Sequence, residues 1–153
     1  MEKKRKQIAI LGSTGSIGTQ ALDVIDQHPD KFQVYALTAN NNIDLLIKQA
    51  VKFQPEIVVI ANDSNYERLS KALDSYPIKV WAGVEAIADI VQHEAINIVL
   101  AAMVGFSGLK PTINALKAGK TVALANKETL VVAGEYIIDL ALRNGAPILP
   151  VDS

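Results

Sequence analysis

The alternation of short apolar runs with longer segments of helical periodicity restricts the fold of this chain more than any other feature. Short runs rich in Ile, Val, Leu and Ala predict buried strands at 7–11, 32–38, 56–60, 78–81, 96–101, 121–124 and 146–151. Helical spacing of apolar residues predicts helices at 17–27, 43–52, 65–74, 83–92, 109–118 and 128–143. Since strand–helix–strand crossovers make parallel neighbours, the order predicts an α/β fold. We expect a doubly wound, mostly parallel Rossmann-type sheet of seven strands with helices on both faces.

Length and composition favour one domain and exclude several classes of function. The 153 residues, half of them hydrophobic, suit a single core spanning residues 1–153. A net charge of −1 gives no electrostatic basis for nucleic acid or an anionic membrane as a partner. Because these residues include no cysteine, they exclude a disulfide framework, a cysteine nucleophile and a thiolate zinc site. The absence of cysteine also suits a cytoplasmic protein, which is what we expect. No apolar stretch is long enough to span a membrane.

Three glycines follow the first predicted strand and open the first predicted helix, with the spacing G-x-x-G-x-x-G. Gly12 allows a sharp turn, Gly15 leaves room for a pyrophosphate to approach the backbone, and Gly18 lets the helix pack closely on the sheet. The free amides and the dipole of the helix start attract phosphate charge. Hydroxyl donors are added by Ser13, Thr14 and Ser16. This context predicts a dinucleotide site rather than an ordinary turn, and the missing Gly-Lys-Ser/Thr disfavours a P-loop NTPase.

The end of the second predicted strand bears on the choice between NAD and NADP. Domains that prefer NAD usually carry an acid here for the ribose 2′-hydroxyl, and this segment has none before Asp44. Lysine and arginine are absent too, so the preference for NADP that we infer is not a sharp one. Amide donors are offered by Asn40, Asn41 and Asn42. Alternatively these asparagines form a loop and the N-cap of the next helix, and both interpretations can hold together.

Three later loops fall at the carboxyl ends of predicted strands, which is where open α/β sheets bind ligands. These loops cover 102–108, 125–128 and 152–153. Lys127 lies at a helix start, where its charge opposes the helix dipole, and such a local conflict often marks a functional site. The alternative is a capping Asn126, a solvated Lys127 and a Glu128 that matches the dipole.

The remaining candidates are one carboxylate and two imidazoles. Asp152 is a candidate ligand for a hard cation, which needs more oxygens than one aspartate supplies. The other ligands would then lie beyond residue 153. His28 and His93 stand near predicted helix ends, and we expect both to be isolated surface residues.

Four segments of the chain together resemble the 1-deoxy-D-xylulose 5-phosphate reductoisomerases. The segments are 11–18, 104–112, 125–130 and 149–153, and in order and spacing they cover essentially the whole chain. The resemblance implies the NADPH-dependent isomerisation and reduction of 1-deoxy-D-xylulose 5-phosphate to 2-C-methyl-D-erythritol 4-phosphate. That reaction belongs to non-mevalonate isoprenoid biosynthesis. It also implies a divalent metal, which is magnesium, manganese or cobalt, acting as a Lewis acid on the substrate oxygens.

The resemblance also implies roles for individual residues. The NADPH phosphates would be bound by Thr14, Gly15, Ser16 and Ile17. The adenosine ribose and 2′-phosphate would lie at Asn40, Asn41 and Asn42. Further NADPH contacts would come from Asn126 and Glu128. Lys127 would be catalytic and contact the phosphosugar substrate, Ser153 would also contact it, and Asp152 would bind the metal.

The chain departs from the family pattern in two ways. The family often carries a basic residue where this chain has Asn41, which weakens the predicted selectivity for NADP over NAD. The sequence also stops at Ser153, before the family's other metal-binding carboxylates, its active-site flap and its C-terminal domain. We therefore expect that this chain binds NADPH without catalysis and that the full-length enzyme is a homodimer.

Two other functions compete with this interpretation. One is a different glycine-loop dehydrogenase, such as an aspartate-semialdehyde dehydrogenase, which needs a cysteine nucleophile, usually in a later domain. The other is a binding module that senses a nucleotide without chemistry. The segments 125–128 and 150–153 favour the reductoisomerase over the first of these. The second stays open, because the chain as it stands has no complete metal site and would itself behave as a binding module.

Overall fold

A single parallel sheet organises the chain. The computed structural model describes residues 4–125 and 127–151, without the side chains of residues 127–132. Its seven strands lie in the order β4-β3-β2-β1-β5-β6-β7, and all six pairings are parallel. The strands are β1 Lys6–Leu11, β2 Phe32–Ala39, β3 Ile57–Ile60, β4 Lys79–Ala82, β5 Ile98–Ala101, β6 Thr121–Leu124 and β7 Ile148–Pro150. The predicted doubly wound sheet is confirmed.

Within the described residues, six α-helices connect the strands. They are α1 Ser16–Gln27, α2 Ile43–Phe53, α3 Tyr66–Ala72, α4 Val84–Ile90, α5 Leu109–Lys117 and α6 Lys127–Arg143. The prediction placed the start of the third helix at residue 65, but a 3-10 turn at Asp63–Asn65 precedes α3. The long last helix is interrupted at Ala133, whose φ of −131° is not helical. Among the described residues, no helix combines the length and the apolar character needed to cross a bilayer.

Alternate residues of the central strand face two separate cores, because side chains alternate along a strand. On one side, Ile8 and Ile10 pack with buried residues of α1, α2 and α3. On the other side, Ala9 and Leu11 pack with buried residues of α4, α5 and α6. This two-sided burial explains why the strands read as continuous apolar runs in the sequence.

A row of backbone hydrogen bonds joins the loops at the carboxyl edge of the sheet. In each of these bonds, the amide of a residue just beyond one strand donates to a carbonyl oxygen at the end of the neighbouring strand. The donors and acceptors are Gly83 N and Ile60 O, Ala61 N and Ala39 O, Gly12 N and Thr38 O, Ser13 N and Thr38 O, Ala102 N and Leu11 O, Ala125 N and Ala101 O, and Val151 N and Leu124 O. Each loop is thus joined to the end of the neighbouring strand. The loops after β3, β2, β1, β5 and β6 therefore stand side by side in that order.

Candidate functional site

The glycine loop leaves β1 by a turn that only glycine adopts readily. Gly12 has a φ of +84°, and a Cβ built on it would lie 2.8 Å from the carbonyl oxygen of Ala102. The position thus needs glycine for its conformation and for the close approach of the loop after β5. The predicted sharp turn at Gly12 is confirmed.

The other two glycines differ in what surrounds them. A Cβ on Gly18 would lie 2.4 Å from Gly12 O and 2.6 Å from the Cα of Ser13, so the missing side chain lets α1 pack against the glycine loop itself. A Cβ on Gly15 would meet only Gly12 O, at 3.6 Å, which is an ordinary contact. The protein therefore leaves the space beside Gly15 open, as a ligand approaching the backbone requires.

The start of α1 offers donors without using a side chain as a cap. Gly15 is the N-cap and has no side-chain cap hydrogen bond. The first amides of a helix, here those of Ser16 and Ile17, have no intrahelical acceptor. Ser16 Oγ accepts a hydrogen bond from Gln20 Nε2 at 3.1 Å, so its own hydrogen stays available to an acceptor. These groups are a candidate surface for binding an anion, which the helix dipole would also attract.

Ser13 does not belong to that surface, and its predicted role as a phosphate donor is wrong. Its side chain is fully buried, and its Oγ donates to Gln49 Oε1 at 2.7 Å. Gln49 Nε2 in turn donates to Ser13 O at 2.9 Å. A hydroxyl has one hydrogen, and Ser13 gives it to the protein. The sequence signal for this pair is a glutamine on the apolar face of α2.

The asparagine triplet after β2 divides into a cap and a side-chain pair. Asn42 is the N-cap of α2, and its Oδ1 accepts from the amide of Leu45 at 3.3 Å. The capping interpretation thus holds for Asn42, whose Nδ2 is not used by the cap. Asn41 Oδ1 accepts from Asn62 Nδ2 at 2.8 Å. The backbone of Asn40 accepts from the amide of Asn62 at 3.2 Å, which joins the triplet to the loop after β3.

One backbone amide sets the orientation of the Asn41 side chain. Asn62 Oδ1 accepts from the backbone N–H of Ser64, which can only donate, and from Ser64 Oγ. Because the Oδ1 of Asn62 faces Ser64, its Nδ2 faces Asn41. The Asn41 side chain must therefore turn its oxygen, the acceptor, toward Asn62 Nδ2. The Nδ2 group of Asn41 consequently faces elsewhere, on an exposed side chain, as a donor.

A cation from a distant part of the sequence binds to the helix that follows the asparagine triplet. Arg68 on α3 forms an ion pair with Asp44 in the first turn of α2, two residues beyond Asn42. Arg68 could not be recognised from the sequence as a cation close to the triplet, because it lies 24 residues after its partner Asp44. Both side chains are largely exposed, so solvent screens the pair.

The loop after β5 adds an apolar surface to the same edge. Val104 and Phe106 are 88% and 62% exposed. Their loop passes the glycine loop closely, since a Cβ on Gly12 would lie 3.2 Å from the amide of Met103. The next loop begins at Ala125, whose amide donates to Ala101 O. The predicted convergence of these two loops on one edge is confirmed.

Five of the candidate residues are not placed as side chains. Asn126, Asp152 and Ser153 lie outside the described residues, and Lys127 and Glu128 are described only as the helical start of α6. Within the described part of the chain, no group of three or more His, Cys, Asp or Glu residues has the arrangement to hold a metal. The roles of these five residues stay predictions.

His93 is on the surface but is not isolated, so that part of its prediction is wrong. Tyr35 Oη lies 3.2 Å from His93 Nε2, and His93 Nδ1 accepts from the amide of Ala95. Burial, followed by the charges of Glu56 and Glu94, raises the pKa of Tyr35 above its ordinary value. This cluster lies at the amino ends of the strands, away from the glycine loop.

Relatives of this chain were found by sequence. Residues 8–134 match the family described as 1-deoxy-D-xylulose 5-phosphate reductoisomerase. The reductoisomerase of Phocaeicola vulgatus is 65% identical over 149 residues, which are 97% of this chain and 39% of that protein. The Bacteroides thetaiotaomicron enzyme is 64% identical over 152 residues, which are 99% of this chain and 39% of that protein. The chain thus spans 39% of the length of both relatives.

Similar structures have also been solved. The reductoisomerase from Zymomonas mobilis in complex with NADPH has a TM-score of 0.93 and 42% identity, covering 98% of this chain and 39% of that one. A reductoisomerase in complex with NADPH, fosmidomycin and magnesium has a TM-score of 0.90 and 40% identity, covering 95% of this chain and 36% of that one. The matched part of each of these proteins therefore has the same fold as the present chain.

Proposed function

The chain belongs to the 1-deoxy-D-xylulose 5-phosphate reductoisomerase family, and from this premise we propose that residues 1–153 are the NADPH-binding domain of such an enzyme. The whole enzyme would isomerise 1-deoxy-D-xylulose 5-phosphate and reduce the product to 2-C-methyl-D-erythritol 4-phosphate. It would act in the cytoplasm, as a homodimer, in isoprenoid biosynthesis. The solved relatives in complex with NADPH and magnesium support this proposal.

One observation carries the proposal for the cofactor: the open start of α1 stands beside the asparagine triplet. The amides of Gly12 and Ser13 both donate to Thr38 O in β2, which brings the two loops together. The diphosphate of NADPH would be bound at 14–17, and its 2′-phosphate would be bound at 40–42. Both ends of the cofactor's adenosine diphosphate portion would then meet hydrogen-bond donors.

The reacting end of the cofactor would lie further along the same edge. NADPH would supply the hydride, and a bound divalent metal would polarise the substrate oxygens. Asn126 and Glu128 would contact the cofactor, and Lys127 and Ser153 would bind the substrate. Asp152 would contribute one carboxylate to the metal, with further ligands from the rest of the enzyme.

We further propose that the chain alone binds NADPH without turning over substrate. It spans 39% of the length of its relatives, and its described residues contain no metal-binding cluster. The test is NADPH oxidation with 1-deoxy-D-xylulose 5-phosphate and magnesium. It compares the chain alone with a chimera in which residues 1–153 replace the matching part of the Phocaeicola vulgatus enzyme. The chimera should be active, and turnover by the chain alone would contradict the proposal.

Cofactor binding is tested at Gly15. Gly15 has extended backbone angles and an open Cβ position, so Gly15→Val should fold normally while its side chain occupies the space of the diphosphate. We expect NADPH affinity to fall by more than about tenfold in a fluorescence titration, as the loss of charge-assisted hydrogen bonds implies. Ala118→Val, an exposed change at the opposite edge, is the control. Unchanged affinity in Gly15→Val would reject the site.

A further inference from the structure

We propose that Gln49 is a positioning residue for cofactor binding, because it aims the amide of Thr14 at the diphosphate. The proposal rests on the proposed function and deepens it. Gln49 lies on α2, 36 residues from Ser13, and it would not touch the cofactor itself. It acts through the peptide that joins Ser13 to Thr14.

Gln49 is a polar side chain on the buried face of its helix. It is 7% exposed and follows Leu46 by three residues, so it shares a face with a fully buried leucine. A buried amide without partners is strongly unfavourable. Both ends of the Gln49 amide are satisfied by Ser13, through Oε1 at 2.7 Å and Nε2 at 2.9 Å. Replacing glutamine therefore leaves the polar groups of Ser13 without these partners.

Ser13 is held through each of its polar groups. Its amide donates to Thr38 O at 2.9 Å, and its Oγ and carbonyl oxygen both bond to Gln49. The orientation of the peptide planes on both sides of Ser13 is thus set by residues of β2 and α2. The rest of the loop continues from that fixed residue into the N-cap, Gly15.

The fixed carbonyl of Ser13 determines where the next N–H points. In a planar trans peptide, the C=O and the following N–H point in opposite directions. Because the Ser13 carbonyl points toward Gln49, the Thr14 N–H points away from α2. It is thereby held ready for a phosphate oxygen without a reorganisation of the loop, which is what makes a preorganised donor effective.

The proposal predicts which ligands depend on Gln49. NADPH and NADH share the diphosphate, so Gln49→Met, which keeps the size and removes both hydrogen bonds, should weaken both by the same factor. We expect the affinity for each cofactor to fall about tenfold, which is the effect of losing one hydrogen bond to a charged group. Binding of 2′-AMP, which has no diphosphate, should be unchanged. Leu46→Met, on the same buried face, is the control for packing.

Two further variants separate positioning from general stability. Ser13→Ala loses the bond between Oγ and Oε1 but keeps the bond that orients the carbonyl, so it should lower the melting temperature and change NADPH affinity by less than about threefold. In Gln49→Glu, a carboxylate cannot donate to Ser13 O, whereas the protonated acid can. The NADP⁺ affinity of this variant, relative to that of the wild-type chain at the same pH, should therefore recover between pH 8 and about pH 5.5, since burial raises the pKa of a carboxyl group.

Several outcomes would overturn the proposal. Wild-type affinity in Gln49→Met, equal losses in Gln49→Met and Ser13→Ala, or a parallel loss of 2′-AMP binding would each do so. If Gln49→Met does not fold, the pH dependence of Gln49→Glu decides, and its absence overturns the proposal. If the wild-type chain binds neither NADPH nor NADH, the proposed function fails as well, so the two failures are distinguishable.

Discussion

The glycine loop and the asparagine triplet stand next to each other, yet the molecule holds them in opposite ways. The glycine loop is fixed from behind by a buried serine–glutamine pair and by close packing at Gly12 and Gly18. The triplet is held at the surface, where Asn41 pairs with the exposed Asn62. Buried hydrogen bonds have no water to replace a lost partner, whereas exposed ones do.

This difference indicates which part of the site can be substituted without a loss of stability. A substitution where the glycine loop packs tightly on the residues behind it, as at Gly12 or Gly18, should change stability and diphosphate binding together. A substitution in the triplet should leave the core intact, so the preference between NADPH and NADH can change alone. Both cofactors contain the diphosphate, whereas the 2′-phosphate distinguishes NADPH from NADH.

The largest effect is expected at Gly18, where the loop and the core meet. In Gly18→Val, the added side chain would lie within 3 Å of the backbone of Gly12 and Ser13. We expect a loss of about 3 kcal/mol in the free energy of unfolding, as for severe overpacking. Urea unfolding followed by circular dichroism measures it. Asn40→Val in the triplet is the matched control and should lower the free energy of unfolding much less. Similar losses in both variants would contradict the proposed difference between the glycine loop and the triplet.

A cation in the triplet should sharpen the contrast without affecting the fold. Asn41→Arg adds a charge-assisted donor for the 2′-phosphate, so NADPH should bind about tenfold more tightly while NADH affinity stays the same. Parallel titrations with the two cofactors measure this ratio. Ala72→Arg adds the same charge on the exposed side of α3 and controls for long-range attraction. An equal gain for NADH would show that position 41 does not face the 2′-phosphate.

The smallest effect is expected from the residue that orients Asn41. Asn62→Ala removes the partner of Asn41 Oδ1, so the Asn41 amide can turn and present its oxygen to the 2′-phosphate. Because the bond is exposed, we expect only about a threefold loss of NADPH affinity and no change for NADH. In an Asn41→Ala background, Asn62→Ala should have no further effect. An additional loss there would mean that Asn62 acts independently of Asn41.

The order of strands and helices and the place of the glycine loop followed from the sequence, because they depend on local patterns. Apolar runs such as 96–101 and helical spacing from residue 17 onward are visible within one segment. The turn at Gly12 also needs a glycine at its own position. The asparagine triplet followed from its position at the end of the second predicted strand, and the family resemblance added its contact with the ribose and the 2′-phosphate. Apolar periodicity did not predict the ends of the elements, since the turn at Asp63–Asn65 depends on an asparagine side chain that caps it.

Only the tertiary structure decided what several polar side chains of the site do. Ser13 is a buried anchor, because its partner Gln49 comes from a helix 36 residues away. The roles of Asn41 and Asp44 likewise depend on partners that are distant in sequence. Asn41 is oriented as a donor by Asn62, 21 residues away, and Asp44 pairs with Arg68, 24 residues away. A hydroxyl or an amide has the same bonding capacity in any context. Whether it faces a ligand or another residue depends on which strands become neighbours, and that is settled only when the chain packs.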